Sequence, residues 1–291
     1  MKTHVFLIAS ALTAGLVAYV VVSFLTSQIN SGDTVVVGDE VLLPLPSKIT
    51  RLTVEEAILL RKSIREWRRE PITIVQLSML LWASQGIVED AGFGWYRRAA
   101  PSAGATYPVE VYVVVGEKGV RVGEEEFLKA GVYKYDYMKH SVRLVKEGDV
   151  RVDLWRASLR QDWVRDAPIT IVLCAIYERT TGRYGERGIR YVHMELGHVG
   201  QNIYLVATAL DLGTVAIGAF YDEEVAKVIS SARNERPLYL FPVGVPREPH
   251  RATFEELSRL YERLRRGSRA TDLEPRGDYE SEIRIHLAPD S

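Results

Sequence analysis

APSAGATYPVEVYVVV, residues 100–115, joins a corner of small side chains to a β-rich run. Ala100, Ser102, Ala103, Gly104 and Ala105 surround Pro101 and lead to Tyr107-Pro108. From Val109 to Val115 the apolar, β-branched run reads as a buried strand. Ordinary turn chemistry accounts for so bare a corner. The alternative is that a large flat group approaches the backbone there and the side chains are absent to admit it. The corner alone leaves both readings open.

Outward from this strand, further strands are expected at Ile169–Tyr177, Thr214–Ala219 and Leu238–Val243, with helices between them. A helix over 53–67 (TVEEAILLRKSIREW) opens on Thr53 with Glu56 three residues on, a capping box. A second follows Pro71, carries Ile74, Leu77 and Leu81 on one face and ends at Gly86. GIVEDAGFGWYRR (86–98) is expected to be a polar loop, and 149–163 a helix. The longest helix is expected at 189–212. There Ile189, Val192, Leu196, Val199, Ile203, Val206 and Leu210 repeat with 3-4-3-4 spacing, and Gly197 and Gly200 beside them would admit a close neighbour. This seam is either the core axis of the domain or a dimer contact; periodicity does not separate the two. Gly213 then turns the chain, Gly218-Ala219 stops a short strand, and a helix starts near Asp222. A last helix, 253–266, repeats the capping box with Thr253 and Glu256, and EIRIHLA (282–288) alternates like a lone strand in search of a sheet edge. The pattern is that of an α+β domain, one sheet flanked by helices.

The chain has 291 residues, a net charge of −1 and one cysteine, Cys174. The charge gives no sign of a nucleic-acid partner. One cysteine excludes an intrachain disulfide, and its apolar setting in ITIVLCAIY assigns it to packing. Residues 5–26 carry no charge, and a helix of that length measures about 33 Å, enough to cross a bilayer. The expected organisation is a transmembrane anchor (1–29), a linker (30–50) broken by Pro44 and Pro46, a main domain (51–266) and a tail (267–291) with a possible partner-pairing strand. A cleaved signal is the alternative to the anchor. Lys2 before the segment and Asp33, Asp39 and Glu40 after it weakly place the main domain outside.

Four stretches can carry chemistry. In RKSIREWRR (61–69), Arg61 and Arg65 are expected to share a helix face, and Ser63 adds a hydroxyl. They either complement a helix C-terminus or clamp a phosphate through their planar forks. The others are the corner at 101–105, the stop at Gly218-Ala219, and FPVGVPREPHR (241–251) with Arg247 and Arg251. Glu195 and His198 are spaced i, i+3 near His193. That spacing is one half of a di-iron site, but no second half exists, and a buried hydrogen-bond network is the plainer use. Trp155 and Trp163 read as packing.

Together, Arg-Lys-Ser-x-Arg (61–65), Leu-Leu-Trp-Ala-x-x-Gly (80–86), Arg-x-Ala-Pro-Ser-Ala-Gly-Ala-x-Tyr-Pro-x-Glu-x-Tyr (98–112), Tyr-Gly-Glu-Arg-Gly-x-Arg-Tyr-Val (184–192), Glu-x-Gly-His-x-x-Gln-Asn (195–202) and Pro-Val-Gly-x-Pro (242–246) resemble the nitroreductase-like flavoproteins. The resemblance is nearest to the SagB-type, or thiazole/oxazole-oxidase, dehydrogenase branch and covers about residues 43–251. It implies a mixed sheet flanked by helices and an obligate homodimer through helix 189–212. It also implies non-covalent FMN at the dimer interface. Arg61, Lys62, Ser63 and Arg65 would hold the phosphate and ribityl chain. Pro101, Ser102, Ala103, Gly104 and Ala105 would lie along the isoalloxazine. Gly218 and Ala219 would bring a backbone N–H to its N5, and Arg247 and Arg251 would complete the phosphate site. NAD(P)H would come and go as reductant, since no G-x-G-x-x-G occurs to hold a nicotinamide. The substrate would be a small molecule or a peptide. Azoline-oxidising members use a Lys-Tyr pair, where this chain has Arg183-Tyr184 and Arg190-Tyr191, and arginine is a poor proton donor. Tyr107, Tyr184, Tyr191 and His198 are the candidates for proton transfer or substrate contact. A catalytically silent flavin-binding or scaffold protein on the membrane is the alternative. Cofactor supply argues for a cytoplasmic domain, against the flanking charges.

Overall fold

The computed structural model describes residues 35–266. The apolar segment at 5–26 and the alternating stretch at 282–288 lie outside them. Among the described residues no helix is long and apolar enough to cross a membrane.

The strands are β1 (Val35–Val37), β2 (Glu40–Leu42), β3 (Ile72–Thr73), β4 (Ile87–Gly92), β5 (Trp95–Arg98), β6 (Val109–Val115), β7 (Val120–Arg121), β8 (Gly131–Asp136), β9 (Ser141–Glu147), β10 (Ile169–Ala175), β11 (Gly213–Thr214) and β12 (Arg236–Gly244). The helices are α1 (Val54–Leu60), α2 (Ile74–Gln85), α3 (Arg151–Ala157), α4 (Asp162–Asp166), α5 (Tyr177–Tyr184), α6 (Arg187–Ala209), α7 (Asp222–Ile229) and α8 (Phe254–Arg265). Eight strands form one sheet in the order β1-β2-β9-β8-β6-β10-β12-β11. Its strand pairs are antiparallel, and a parallel bridge from Ser63 to Thr214 at the β11 edge makes the pairing mixed.

The sheet separates two apolar layers, because side chains alternate across it. On one face Val109, Val111, Val113, Ile171, Leu173 and Phe241 meet Leu77, Leu80 and Leu81 of α2 and Val192, Leu196, Val199 and Ile203 of α6. On the other, Tyr112, Val114, Val172, Cys174 and Leu240 meet Leu154 of α3 and Val225 and Ile229 of α7. Cys174 is a packing residue whose thiol pKa burial pushes well up. The seam of α6 is thus consumed in the chain's own core. Ile189, expected at its head, stands 44% exposed.

Several expectations need correction. The helix from Thr53 keeps its capping box but stops at Leu60, because Arg61 turns extended (φ −62°, ψ 123°) and the chain leaves to pair with the sheet edge. Tertiary pairing here overrides helix propensity. The stretch 149–163 breaks between α3 and α4, where Leu159 and Arg160 take φ of 57°. The expected loop 86–98 is the hairpin β4–β5, turned by Gly92, Phe93 and Gly94, all at positive φ. The strand expected at 214–219 shrinks to β11 plus a bridge from Ile217 to Leu240. Tyr177 belongs to α5 and not to the preceding strand. Part of the expected linker is sheet: Val35–Val37 and Glu40–Leu42 form a hairpin around Gly38 (φ 62°), and Val41 and Leu43 are buried.

The chain divides at Pro249 into two compact units. In the second, α8 opens on Thr253 with the expected capping box to Glu256. Arg251 belongs to this second unit.

Candidate functional site

Residues 61–68 form an extended strap along the sheet edge. Ile64 N–H donates to Thr214 O at 2.9 Å, Arg68 N–H to Val245 O at 2.8 Å, and Arg247 N–H to Glu66 O at 3.0 Å. Gly213 makes the closure possible: a Cβ there would stand 2.7 Å from Ile64 Cβ. An extended chain alternates sides, so Arg61 and Ser63, two apart, both meet Tyr204, where a helix would have paired Arg61 with Arg65. Ser63 Oγ lies 2.9 Å from Tyr204 Oη, and the Arg61 guanidinium lies 5.2 Å from the Tyr204 ring centre. Arg65 lies 5.4 Å from the ring centre of Trp163. Trp163 packs against the second apolar layer, as expected, and its buried Nε1–H has no acceptor. Lys62 is exposed.

Beside this clamp, Ala216 N–H donates to Tyr204 Oη at 2.8 Å. The next stretch is bare. Gly218 and Ala219 are exposed, a Cβ at Gly218 would meet nothing within 4 Å, and Gln161 Nε2 holds Ala219 O at 2.9 Å. Arg247 lines a cleft of about 1030 Å³ with Arg65 and pairs with Glu66 at 3.5 Å.

The corner is a single 3₁₀ turn, Ala103–Ala105. Gly104, Ala105 and Tyr107 all take left-handed φ, of 60°, 54° and 44°. Tyr107 is pinned at three atoms: its N–H donates to Ser102 Oγ (2.8 Å), its carbonyl accepts from Arg179 (2.9 Å) and its phenol oxygen accepts from Arg98 N–H (3.2 Å). Arg183 Nη1 donates to Gly104 O at 3.0 Å, and a side chain at Gly104 would collide with Tyr184 Oη. Tyr184 stands edge-on to Tyr191 at 5.2 Å. The three tyrosines expected to serve chemistry, Tyr107, Tyr184 and Tyr191, therefore gather at the corner, while His198 is exposed on α6. His193 accepts or donates at 2.7 Å with Tyr177 Oη, and Glu195 is buried, so the expected network is split between two faces of the helix.

Clamp and corner lie far apart in one chain. Val109, just past the corner, pairs with Ala175, whereas Thr214, at the clamp, pairs with Val243 and through it with Ile169. The six steps from Ile169 to Ala175, at about 3.3 Å each, amount to about 20 Å. Along α6 the thirteen steps from Tyr191 to Tyr204, at about 1.5 Å each, amount to about 20 Å as well. Sequence reasoning missed Tyr204, Trp163 and Arg98. Tyr204 carried a signal, a polar-tipped aromatic beside the apolar seam, since a buried phenol needs a partner.

A profile of the nitroreductase family matches residues 58–245. A protein of Methanocaldococcus jannaschii that bears the nitroreductase name is 45% identical over 207 residues, 71% of this chain and 98% of that protein. The microcin B17-processing protein McbC of Escherichia coli is 32% identical over 141 residues, 47% of this chain and 50% of McbC, so the match spans half of that relative. McbC and the trifolitoxin protein TfxC of Rhizobium leguminosarum, 24% identical, lie in the SagB-type branch that the motifs resemble. Among solved structures, a nitroreductase-named protein of Ralstonia eutropha aligns with a TM-score of 0.61 at 26% identity, over 75% of this chain and 95% of that one. A chain of the E. coli microcin synthetase McbBCD complex with truncated pro-MccB17 aligns with a TM-score of 0.55 at 25% identity, over 70% and 77%. The family profile takes in the clamp, the corner and Gly218-Ala219 in one span, and with the archaeal relative matched along almost its whole length, this chain belongs to the nitroreductase family.

Proposed function

We propose that this chain is an FMN-dependent oxidoreductase that moves an electron pair, as hydride, to or from a small molecule or a peptide. The observation that carries the reading is the meeting of Arg61 and Ser63 at Tyr204, whose phenol also holds Ala216 N–H at the start of the stretch that leads to the uncovered backbone of Gly218 and Ala219. The donor set suits the group. Two guanidinium forks match phosphate oxygens, the Ser63 hydroxyl adds a donor, and the Trp163 N–H lacks an acceptor. A ring laid on residues 216–219 meets no side chain at Gly218. Bound FMN would supply hydride exchange at its N5. The chain's own part is to hold and orient: Arg61 and Arg65 would fix the phosphate, Tyr204 holds Ser63 and Ala216, and Gly218 and Ala219 would offer backbone N–H groups to the ring. Arg247 adds a cation beside Arg65.

The separation of about 20 Å between clamp and corner supports a site shared by two copies, with one chain's corner completing its partner's clamp. The outward face of α6, with Met194, Gly197 and Gln201 exposed, is the proposed contact. NAD(P)H is proposed as a transient reductant, and residues 5–26 as a single-pass anchor. The peptide-processing relatives favour a peptide substrate, but azoline oxidation is not proposed. Arg183 and Arg190 stand in the region where those enzymes use lysine, and Arg183 is tied to Gly104 O.

The test is to purify the full chain in detergent and record its visible spectrum. Bound flavin is expected, and Arg61→Ala with Arg65→Ala should lose it. Colourless protein that takes up no FMN refutes the reading. Flavin that neither NAD(P)H nor another reductant can cycle to an acceptor would mark a silent binding protein.

A further inference from the structure

Two arginines of α5 hold the corner by its carbonyls, and the chain treats them differently. Arg179 donates to Tyr107 O at 2.9 Å and pairs with Glu110 at 2.6 Å, so its charge is met from within. Arg183, one turn further along the helix, donates to Gly104 O at 3.0 Å through Nη1. It stands exposed, and among the described residues no carboxylate pairs with it. Holding one carbonyl uses one donor of the guanidinium fork and leaves Nε and Nη2 available.

A second donor meets it. A Cβ built on Gly104 would lie 3.0 Å from Arg183 Cζ and nearer still to Tyr184 Oη, so guanidinium and phenol converge on one point of the corner. Tyr184 is half-buried, and its ring is held edge-on to Tyr191 at 5.2 Å and 5.6 Å from Arg183 Cζ. Among the described residues its hydroxyl makes no hydrogen bond. Gly104 takes φ 60° and carries no side chain to fill the space between them.

We propose that Arg183 and Tyr184 determine specificity by receiving a carboxylate of the substrate at the corner. A guanidinium fork matches the two oxygens of a planar carboxylate, and the phenol adds an O–H donor. A clamp for a backbone carbonyl alone needs no uncompensated cation: Arg179 does that work with its charge neutralised by Glu110. The substrate class is therefore anionic, either a small organic acid or a peptide that presents an acidic side chain. The inference deepens the flavoprotein reading and rests on it for the reaction alone.

The test sets matched probes against the full chain: 4-nitrobenzoate against 4-nitrobenzamide, and a blocked Ala-Glu-Ala peptide against blocked Ala-Gln-Ala. Equilibrium dialysis is run with and without FMN. The wild type should hold the carboxylate member of at least one pair about tenfold more tightly, and the pair that shows it separates a small acid from a peptide. Arg183→Gln keeps an N–H for Gly104 O and loses the charge, so the preference should vanish. Arg183→Lys should keep part of it, and Tyr184→Phe should lose part. Equal binding within both pairs, no binding of any probe, or a preference that survives Arg183→Gln overturns the proposal. Where FMN cycles with NAD(P)H, Arg183→Gln should raise KM for 4-nitrobenzoate by about tenfold and leave that for 4-nitrobenzamide in place. If FMN does not bind, the flavin reading fails, and dialysis without FMN still decides this one.

Discussion

Ser63 Oγ and Tyr204 Oη lie 2.9 Å apart across 141 positions of sequence, and the same phenol accepts the Ala216 N–H. One hydroxyl thus ties the strap, the long helix and the start of the bare backbone together. Tyr204→Phe keeps the ring and its edge-on contact with Phe241 but removes both bonds. The expected loss is about 1–2 kcal/mol in urea unfolding, with FMN affinity lower by about tenfold. An unchanged affinity would show that Tyr204 does not orient the clamp.

Arg61 tests the fork against the charge. Arg61→Lys keeps the cation and loses the planar pair of donors, so FMN affinity should fall by about tenfold. Arg61→Ala should cost about a further tenfold. Equal effects of the two variants would mean that geometry, not charge, dominates; no effect of Lys would mean the reverse.

Two glycines should behave oppositely. At Gly213 a new Cβ meets Ile64 at 2.7 Å, and the sheet edge cannot move without breaking the strap, so Gly213→Ala should destabilise by about 1–3 kcal/mol. At Gly197 a Cβ meets nothing within 4 Å in one chain. Gly197→Arg should leave the fold intact by circular dichroism. If α6 contacts a second copy there, it should also convert the dimer to monomer in sedimentation. A dimer that survives this change places the contact elsewhere.

The family and its core strands were legible in the sequence because they rest on local signals: the apolar runs of β6 and β10, the α6 seam and the capping boxes. What was lost depended on distant partners. Arg61 and Arg65 have a helical spacing, and nothing in 53–67 reveals that Thr214 and Val245 will pull the chain into a strap. The hairpin at 87–98 hid behind its glycines, although Gly92 and Gly94 around Phe93 were its turn signal. Of the site, residue types were readable but not their partition. The clamp and the corner share one motif list and sit at opposite ends of β10.

The pH dependence of stability should expose two buried groups that mask each other. His140 is buried against Ser78, Tyr135 and the Pro44 carbonyl, and burial lowers its pKa to about 4 from 6.5 although the Pro44 bond opposes the shift. The unfolded chain then binds the extra proton first, so stability is lost as pH falls from 6.5 toward about 4. Glu195 has the opposite sign. Its pKa rises from 4.5 to about 7, so the folded chain holds the proton more tightly, and stability is lost as pH climbs from 4.5 through about 7. Between 4.5 and 6.5 the two slopes oppose, and the wild type should vary little there on their account. Glu195→Gln removes one slope. Relative to the wild type, the variant should gain roughly 2–3 kcal/mol between about pH 5 and pH 8, because one pKa unit is worth about 1.4 kcal/mol. Urea unfolding at several pH values measures this directly. Parallel curves for the two proteins would mean that Glu195 titrates as an ordinary surface carboxylate.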